Sequence, residues 1–165
     1  MTTQPLSQAE SVSPVSAPRR TLWMFSLVLV FFGLLVSGYL SYIKLTDAPM
    51  QCIQGSVFNC DYVQNSAYSR LAGIPIAWLG FGSYIVIGVL LLLQHRVAFL
   101  REYGMLLIFG IVLFTFIYSM WLVYVQFFLL EALCQWCLTH EAIMTVLFIT
   151  TSIRLKNFLA DPASV

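Results

Sequence analysis

The residues of this chain best suited to chemistry are its four cysteines, and they fall as two pairs: Cys52 and Cys60, separated by seven residues, and Cys134-Gln135-Trp136-Cys137. A Cys-x-x-Cys that opens a helix sets its first sulfur beside backbone N–H groups that lack an intrahelical acceptor, at the positive end of the macrodipole. That position favours the thiolate, which makes the sulfur both a nucleophile and a good leaving group. Cys60 follows Asn59, a favoured N-cap residue, and is set up in the same way on a short helix of its own. Two other readings compete. A zinc site needs two closely spaced pairs, and the gap of the first pair is too long for one. Structural disulfides would explain Cys52 and Cys60 by themselves. A bridge across the short gap from Cys134 to Cys137, however, constrains little of the unfolded chain and makes more sense as a redox couple than as a staple.

On a helix, Cys134, Cys137 and Glu141 stand at i, i+3 and i+7 and form one narrow stripe, with His140 and Trp136 expected to face elsewhere. Glu141 would lie roughly 10 Å along the axis from Cys134. Within an apolar span an ionisable group is costly and marks a functional candidate. The plainer alternative is a neutral Glu141 hydrogen-bonded between helices, or paired with His140 or Glu131.

The elements that must hold these residues follow from composition. Of 165 residues, 60% are hydrophobic and 9% charged, against roughly a quarter charged in an ordinary soluble domain. The chain therefore belongs in a bilayer, and its formal charge of +1 excludes both a nucleic-acid binder and a disordered chain. We expect an all-α polytopic membrane protein, a bundle of four transmembrane helices. Residues 1–20 read as a disordered tail ending in Arg19-Arg20, residues 21–156 as the membrane domain and residues 157–165 as a second tail. The spans are expected at about 21–43, 76–93, 105–125 and 134–153, each matched to a hydrocarbon core of about 30 Å at about 1.5 Å per residue. A cleaved signal peptide would have a shorter apolar region of roughly 7–15 residues, so the paired arginines read instead as a topology anchor.

The uncharged run from Tyr103 to Leu130 is longer than one hydrocarbon thickness. Its surplus is expected at the interface, with a short connection around 126–133 and an aromatic belt of Trp121, Tyr124 and Trp136. Residues 44–75 hold Lys44, Asp47, Pro49, Asp61 and Arg70 and are too polar for lipid. They form an outer loop, with a short helix predicted from Cys60 to about Arg70 and a break at Gly73 and Pro75. Arg19, Arg20, Arg96, Arg101, Arg154 and Lys156 fall on one side of this topology, and only Lys44 and Arg70 on the other. The positive-inside rule then puts both termini in the cytoplasm and all four cysteines in the opposite compartment, periplasm or its equivalent, where disulfides persist. With both pairs on one oxidising face, the redox reading outweighs the structural one. A dithiol at a membrane surface needs an acceptor for two electrons, and within a bilayer the available carrier is a quinone. The loop pair can pass electrons to the helix pair by thiol exchange.

These residues carry a family resemblance. The loop pair, the string Cys60-Asp61-Tyr62-Val63-Gln64-Asn65-Ser66, the run Gly73-Ile74-Pro75 leading into the second span, Gly80, Tyr84 and Cys134-Gln135-Trp136-Cys137 together resemble the bacterial vitamin K epoxide reductase family of quinone-linked membrane thiol oxidases. The likeness covers about Leu22 to Lys156. Other disulfide-forming membrane oxidases share four spans and two cysteine pairs, but with the quinone-proximal pair first in the chain. The resemblance implies that Cys52 exchanges with a thioredoxin-fold partner, that Cys60 shuttles to Cys134 and that Cys137 faces the quinone, of ubiquinone or menaquinone type. Ser66 would shape the roof of the pocket, and the outer loop and short helix would cap it. Where vertebrate members have a quinone-bonding tyrosine this chain has Glu141, also a candidate quinone contact, and an asparagine of those members aligns with Ile76.

The implied activity is disulfide formation in secreted proteins, in a bacterial inner membrane, with a separate periplasmic thioredoxin-fold oxidoreductase as partner. Two alternatives stay open: reduction of a quinone epoxide, and a non-enzymatic membrane subunit with structural disulfides.

Overall fold

The computed structural model describes residues 16–160 apart from 54, 56 and 95, with side chains described from residue 20 onward. Residues 1–15 and 161–165, to which most of the two expected tails belongs, lie outside the described residues. The chain forms helix α1 (Ser16–Thr46), a short helix α2 (Cys60–Asn65), a 3-10 turn (Ala67–Ser69), a two-stranded hairpin β1 (Arg70–Leu71) and β2 (Ile74–Pro75), and helices α3 (Ile76–Leu93), α4 (Ala98–Tyr124) and α5 (Gln135–Ala160). Four helical stretches, Arg20–Thr46, Ile76–Leu93, Ala98–Leu129 and Gln135–Ala160, are long and apolar enough to cross a membrane. The protein is an all-α bundle of four membrane-spanning helices and thus an integral membrane protein.

Local chemistry explains where these helices begin and end. Pro18 falls in the first turn of α1, where a missing N–H is tolerated, so the helix starts before the arginine pair rather than after it. It stops where Asp47 takes a positive φ of 49°. In α2 the Asn59 side chain caps the Tyr62 N–H at 3.0 Å. The helix expected to reach Arg70 ends instead at Asn65, because Ser66 is extended and turns its hydroxyl back onto the Val63 carbonyl. Ala72 and Gly73 both have positive φ, the requirement of a tight hairpin turn, and Pro75 then opens α3.

The surplus of the third span is helical at both ends. Helix α4 begins at Ala98, so Arg101 and Glu102 lie on its exposed first turns rather than in a loop. At its other end it widens into a π-turn, Val125–Leu129, where Leu130 N–H reaches the Val125 carbonyl. Residues 157–160 continue α5 instead of starting a tail.

The helices pack as a ring, α1 on α3, α3 on α4, α4 on α5 and α5 back on α1. One core cluster, Val30, Tyr84, Ile87, Leu91, Ile108, Val112, Met144 and Leu147, fills the interior. A second, Leu40, Met50, Cys60, Val63, Ala132 and Cys134, sits under the loop. Phe116 of α4 and Phe148 of α5 stack with ring centroids 4.4 Å apart. Polar groups are satisfied within the helices, as an apolar surrounding requires: Ser37 donates to the Gly33 carbonyl at 2.6 Å and Thr151 to the Leu147 carbonyl at 2.7 Å. The end opposite the cysteines is tied by Trp23 to the Leu91 carbonyl and by Arg154 to Gln94.

At Gly33 helix α1 lies close against α3, because any Cβ there would overlap the Tyr84 ring. Gly33→Ala is therefore expected to lower stability by about 1–3 kcal/mol through overpacking, whereas Gly110→Ala, whose added carbon meets no atom of another element within 4 Å among the described residues, leaves it nearly unchanged. Thermal unfolding in detergent compares the two, and equal melting temperatures would refute the packing argument.

Candidate active site

Cys134 is the N-cap of α5: its carbonyl accepts the Leu138 N–H at 2.9 Å, and its sulfur accepts the Cys137 N–H at 3.3 Å. The two sulfurs stand 2.7 Å apart as thiols. Cys134 is fully buried and Cys137 half-buried. The Cys134 N–H, which no helix turn can satisfy, is taken by the Gln126 side-chain oxygen at 3.0 Å. Gln126 can reach it because the π-turn directs this side chain inward, and its own carbonyl accepts the Ala132 N–H.

The outer pair is a disulfide, Cys52–Cys60, with Cα atoms 6.2 Å apart, within the usual range for such bonds. It is brought to the inner pair by main-chain pairing. Phe58 and Leu133 form a parallel bridge, with Leu133 N–H on the Val57 carbonyl at 2.9 Å and Asn59 N–H on the Leu133 carbonyl at 3.0 Å. Cys60 and Cys134 follow directly and are buried in one cluster.

The residues between the inner cysteines grip the loop from the other side. Gln135 accepts the Ile53 N–H at 3.1 Å, and the Trp136 indole N–H donates to the Gln51 carbonyl at 2.7 Å. Cys52 is thus held by its backbone neighbours on both sides. Trp136 also packs on Tyr39, ring centroids 4.7 Å apart. Trp136 of the expected aromatic belt turns its indole N–H to the loop, while Trp121, Tyr124 and Phe128 stack on the exposed side of α4 and the π-turn.

Beneath α2 lies a cavity of about 290 Å³. Its roof includes Val63, Gln64, Ser66 and Tyr68, and its walls include Leu40, Ile76, Leu79, Phe114, Leu122 and Leu130. The lining is mainly apolar, and Leu79 and Phe114 carry it outward between α3 and α4 onto the exposed apolar surface. Cys137 lines it, and the Gln64 amide donates to the Cys137 sulfur at 3.3 Å. Lys44 steadies the roof through the Gln64 carbonyl and the Asn65 side chain. Deeper in are Glu141, buried at 6% exposure, and His140. The two touch, Nδ1 to Oε1 at 3.3 Å. His140, expected to face elsewhere, lines the cavity because α3 leaves room for it. Tyr84 meets its ring edge-on, and a Cβ at Gly80 would stand 3.2 Å from its Nε2.

A four-span bundle with two cysteine pairs at one end, the second capping a helix over an apolar cavity, is the arrangement to set beside known proteins. The sequence matches the vitamin K epoxide reductase family over residues 17–152. The chain belongs to this family. Family membership makes the protein a membrane oxidoreductase, and members of the vitamin K epoxide reductase family use quinones as electron acceptors or substrates.

Of the residues singled out in the sequence, Cys52, Cys60, Cys134 and Cys137 converge, and Ser66, Ile76 and Glu141 line the cavity with Cys137. Gln64, Gln126 and Gln135 join them without having been foreseen, and His140 joins through the contact with Glu141 that was one of the alternatives. The position of Gln135 between the cysteines is the one signal that could have drawn notice. Trp136→Phe keeps the ring but removes the donor to Gln51, a loss of about 0.5–1.5 kcal/mol. Amide exchange at residues 51–53 is expected to quicken while that of α3 stays the same, and unaltered exchange in the loop would rule out the clamp.

Proposed function

We propose that this protein oxidises the dithiol of a thioredoxin-fold partner and passes the electrons through its two cysteine pairs to a membrane quinone, driving disulfide formation in secreted proteins. The observation that carries this reading is the contiguity of the sulfurs: a disulfide in the loop, pinned by the Phe58–Leu133 bridge against a second pair whose inner member lines an apolar cavity. A quinone headgroup fits such a cavity, which offers a sulfur, mostly apolar walls and, at Glu141 Oε2, a buried polar atom with no hydrogen-bond partner among the described residues. When bound, a quinone supplies the capacity to take up two electrons and two protons.

The chain's own residues would act as follows. The partner's thiolate attacks Cys52, whose sulfur is the less buried of its pair, and Cys60 leaves as thiolate. Once the inner pair has been oxidised to the Cys134–Cys137 disulfide, Cys60 attacks Cys134, that bond breaks, and Cys137 leaves as a thiolate stabilised by the Gln64 amide. The partner's second thiol resolves its mixed disulfide with Cys52, and Cys52 resolves the Cys60–Cys134 one. Cys137 is the sulfur that faces the acceptor, Ser66 and Gln64 form the roof over it, and Glu141 is a further contact to the quinone. Gln135 and Trp136 hold Cys52 in reach throughout.

The excess of basic residues at the end away from the cysteines, Arg20, Arg96, Arg101, Arg154 and Lys156 against Lys44 and Arg70, supports cytoplasmic termini and cysteines on the periplasmic side of a bacterial inner membrane. We take residues 21–156 as the redox domain.

Cys137→Ala is expected to stop quinone reduction and to accumulate a Cys60–Cys134 bridge, read by mass spectrometry of alkylated peptides. Quinone turnover at the unmutated rate would end the proposal. The family's name also favours reduction of a quinone epoxide, and supplying an epoxide with a thiol donor tests it by the appearance of quinone.

A further inference from the structure

Protons are what the sulfur relay leaves unaccounted for. Thiol–disulfide exchange moves sulfur as thiolate, so it does not set the route each proton takes. Cys134 and Cys137 stand as two thiols in contact, the Cys137 S–H donating to the Cys134 sulfur. Closing that pair to a disulfide releases two electrons and two protons, as many as a quinone takes up in becoming a quinol. Cys137 lines the cavity, whereas Cys134 is fully buried behind it, so the second proton needs a donor inside the cavity.

Glu141 and His140 stand where that delivery has to happen. Both line the cavity with Cys137. Glu141 is 6% exposed, its Oε1 faces His140 Nδ1 at 3.3 Å, and its Oε2 is buried with no hydrogen-bond partner among the described residues. A buried polar atom left without a partner is costly. The other ionisable groups facing the site are Tyr68 of the roof, Tyr84 of α3, Tyr118 of α4 and the two cysteines of α5; α1 contributes Ser37 but no ionisable group. No Lys or Arg lines the cavity among the described residues. His140 is therefore the one basic partner available to the carboxyl. Gly80 and Tyr84 of α3 define the slot that turns the imidazole toward it.

We propose that Glu141 is the proton donor for quinone reduction in this cavity and that His140 holds the carboxyl in place and reloads it. The step balances. The Cys137 proton and the carboxyl proton of Glu141 go to the two quinone oxygens, the sulfur pair gives two electrons and becomes a disulfide, the Cys134 proton is released, and Glu141 is left as carboxylate. A proton passed through the imidazole then restores it. This rests on the quinone-reducing reading above.

The test pairs a readout on the quinone-free protein with one on turnover. Infrared spectra of the quinone-free protein across pH should show a carboxylic-acid carbonyl band that titrates, that is missing from Glu141→Gln and that titrates at a different pH in His140→Gln. In turnover, Glu141→Gln should lower kcat for quinone reduction by about 100-fold or more, the scale of general-acid catalysis, and remove the pH-dependent limb of the rate. Glu141→Asp should keep that limb. Reduction of the Cys52–Cys60 disulfide by a thiol donor should continue at the wild-type rate in both variants. A Glu141→Gln protein with unchanged kcat and pH profile, or with only KM raised, overturns the donor role while leaving the relay standing, as does a carboxyl band that never titrates. A wild-type protein that reduces no quinone with a thiol donor overturns both.

Discussion

The parallel bridge between Phe58 and Leu133 is the contact on which the rest of the site depends. An outer loop between two membrane helices has many conformations available, and ordering it costs roughly 1–2 kcal/mol per residue in backbone entropy. Here the chain around Cys52 and Cys60 is fixed by main-chain hydrogen bonds to residue 133, and by Gln135 and Trp136 to Gln51 and Ile53. Main-chain pairing sets a register and not just a proximity. Cys60 comes directly after the paired segment and Cys134 directly after Leu133, so the two residues to be exchanged fall in one buried cluster.

The same few residues serve two structural demands at once. The N-terminus of α5 needs acceptors for its free N–H groups, and Cys134 and Gln126 provide them. Satisfying the helix end is therefore the same act as positioning the reactive sulfur. The π-turn at Val125–Leu129 is part of this arrangement, since it directs the buried Gln126 side chain at Cys134. The loop's own helix, α2, completes the enclosure by covering the cavity and placing Gln64 on Cys137.

Much of the bundle was legible in the sequence, because a bilayer imposes its thickness on any apolar run and polar punctuation marks the ends. What was misjudged lay where local signals were overridden. Helix α2 stops at Asn65 because the Ser66 hydroxyl competes for a helix carbonyl, although no Gly or Pro interrupts the run. Helix α4 takes in Arg101 and Glu102 because charged side chains at an exposed helix end need not leave the helix. His140 looked as if it faced away on the ideal helix wheel, yet Gly80 and Tyr84 on the neighbouring helix make the space that admits its ring to the cavity.

By itself the sequence determined that this is a membrane protein with four spans and that its cysteines come as two pairs near one membrane face, since length, hydropathy and charge distribution are properties of the chain read in order. The spacing of Cys134, Cys137 and Glu141 on one helical stripe was likewise a local matter. The tertiary structure alone decided which backbone segment of the loop pairs with residue 133, which glutamines bond the inner cysteines, and that His140 and Glu141 share a cavity with Cys137. Those outcomes depend on side chains and main-chain groups far apart in the chain competing for the same partners, and no periodicity along a single segment records who wins.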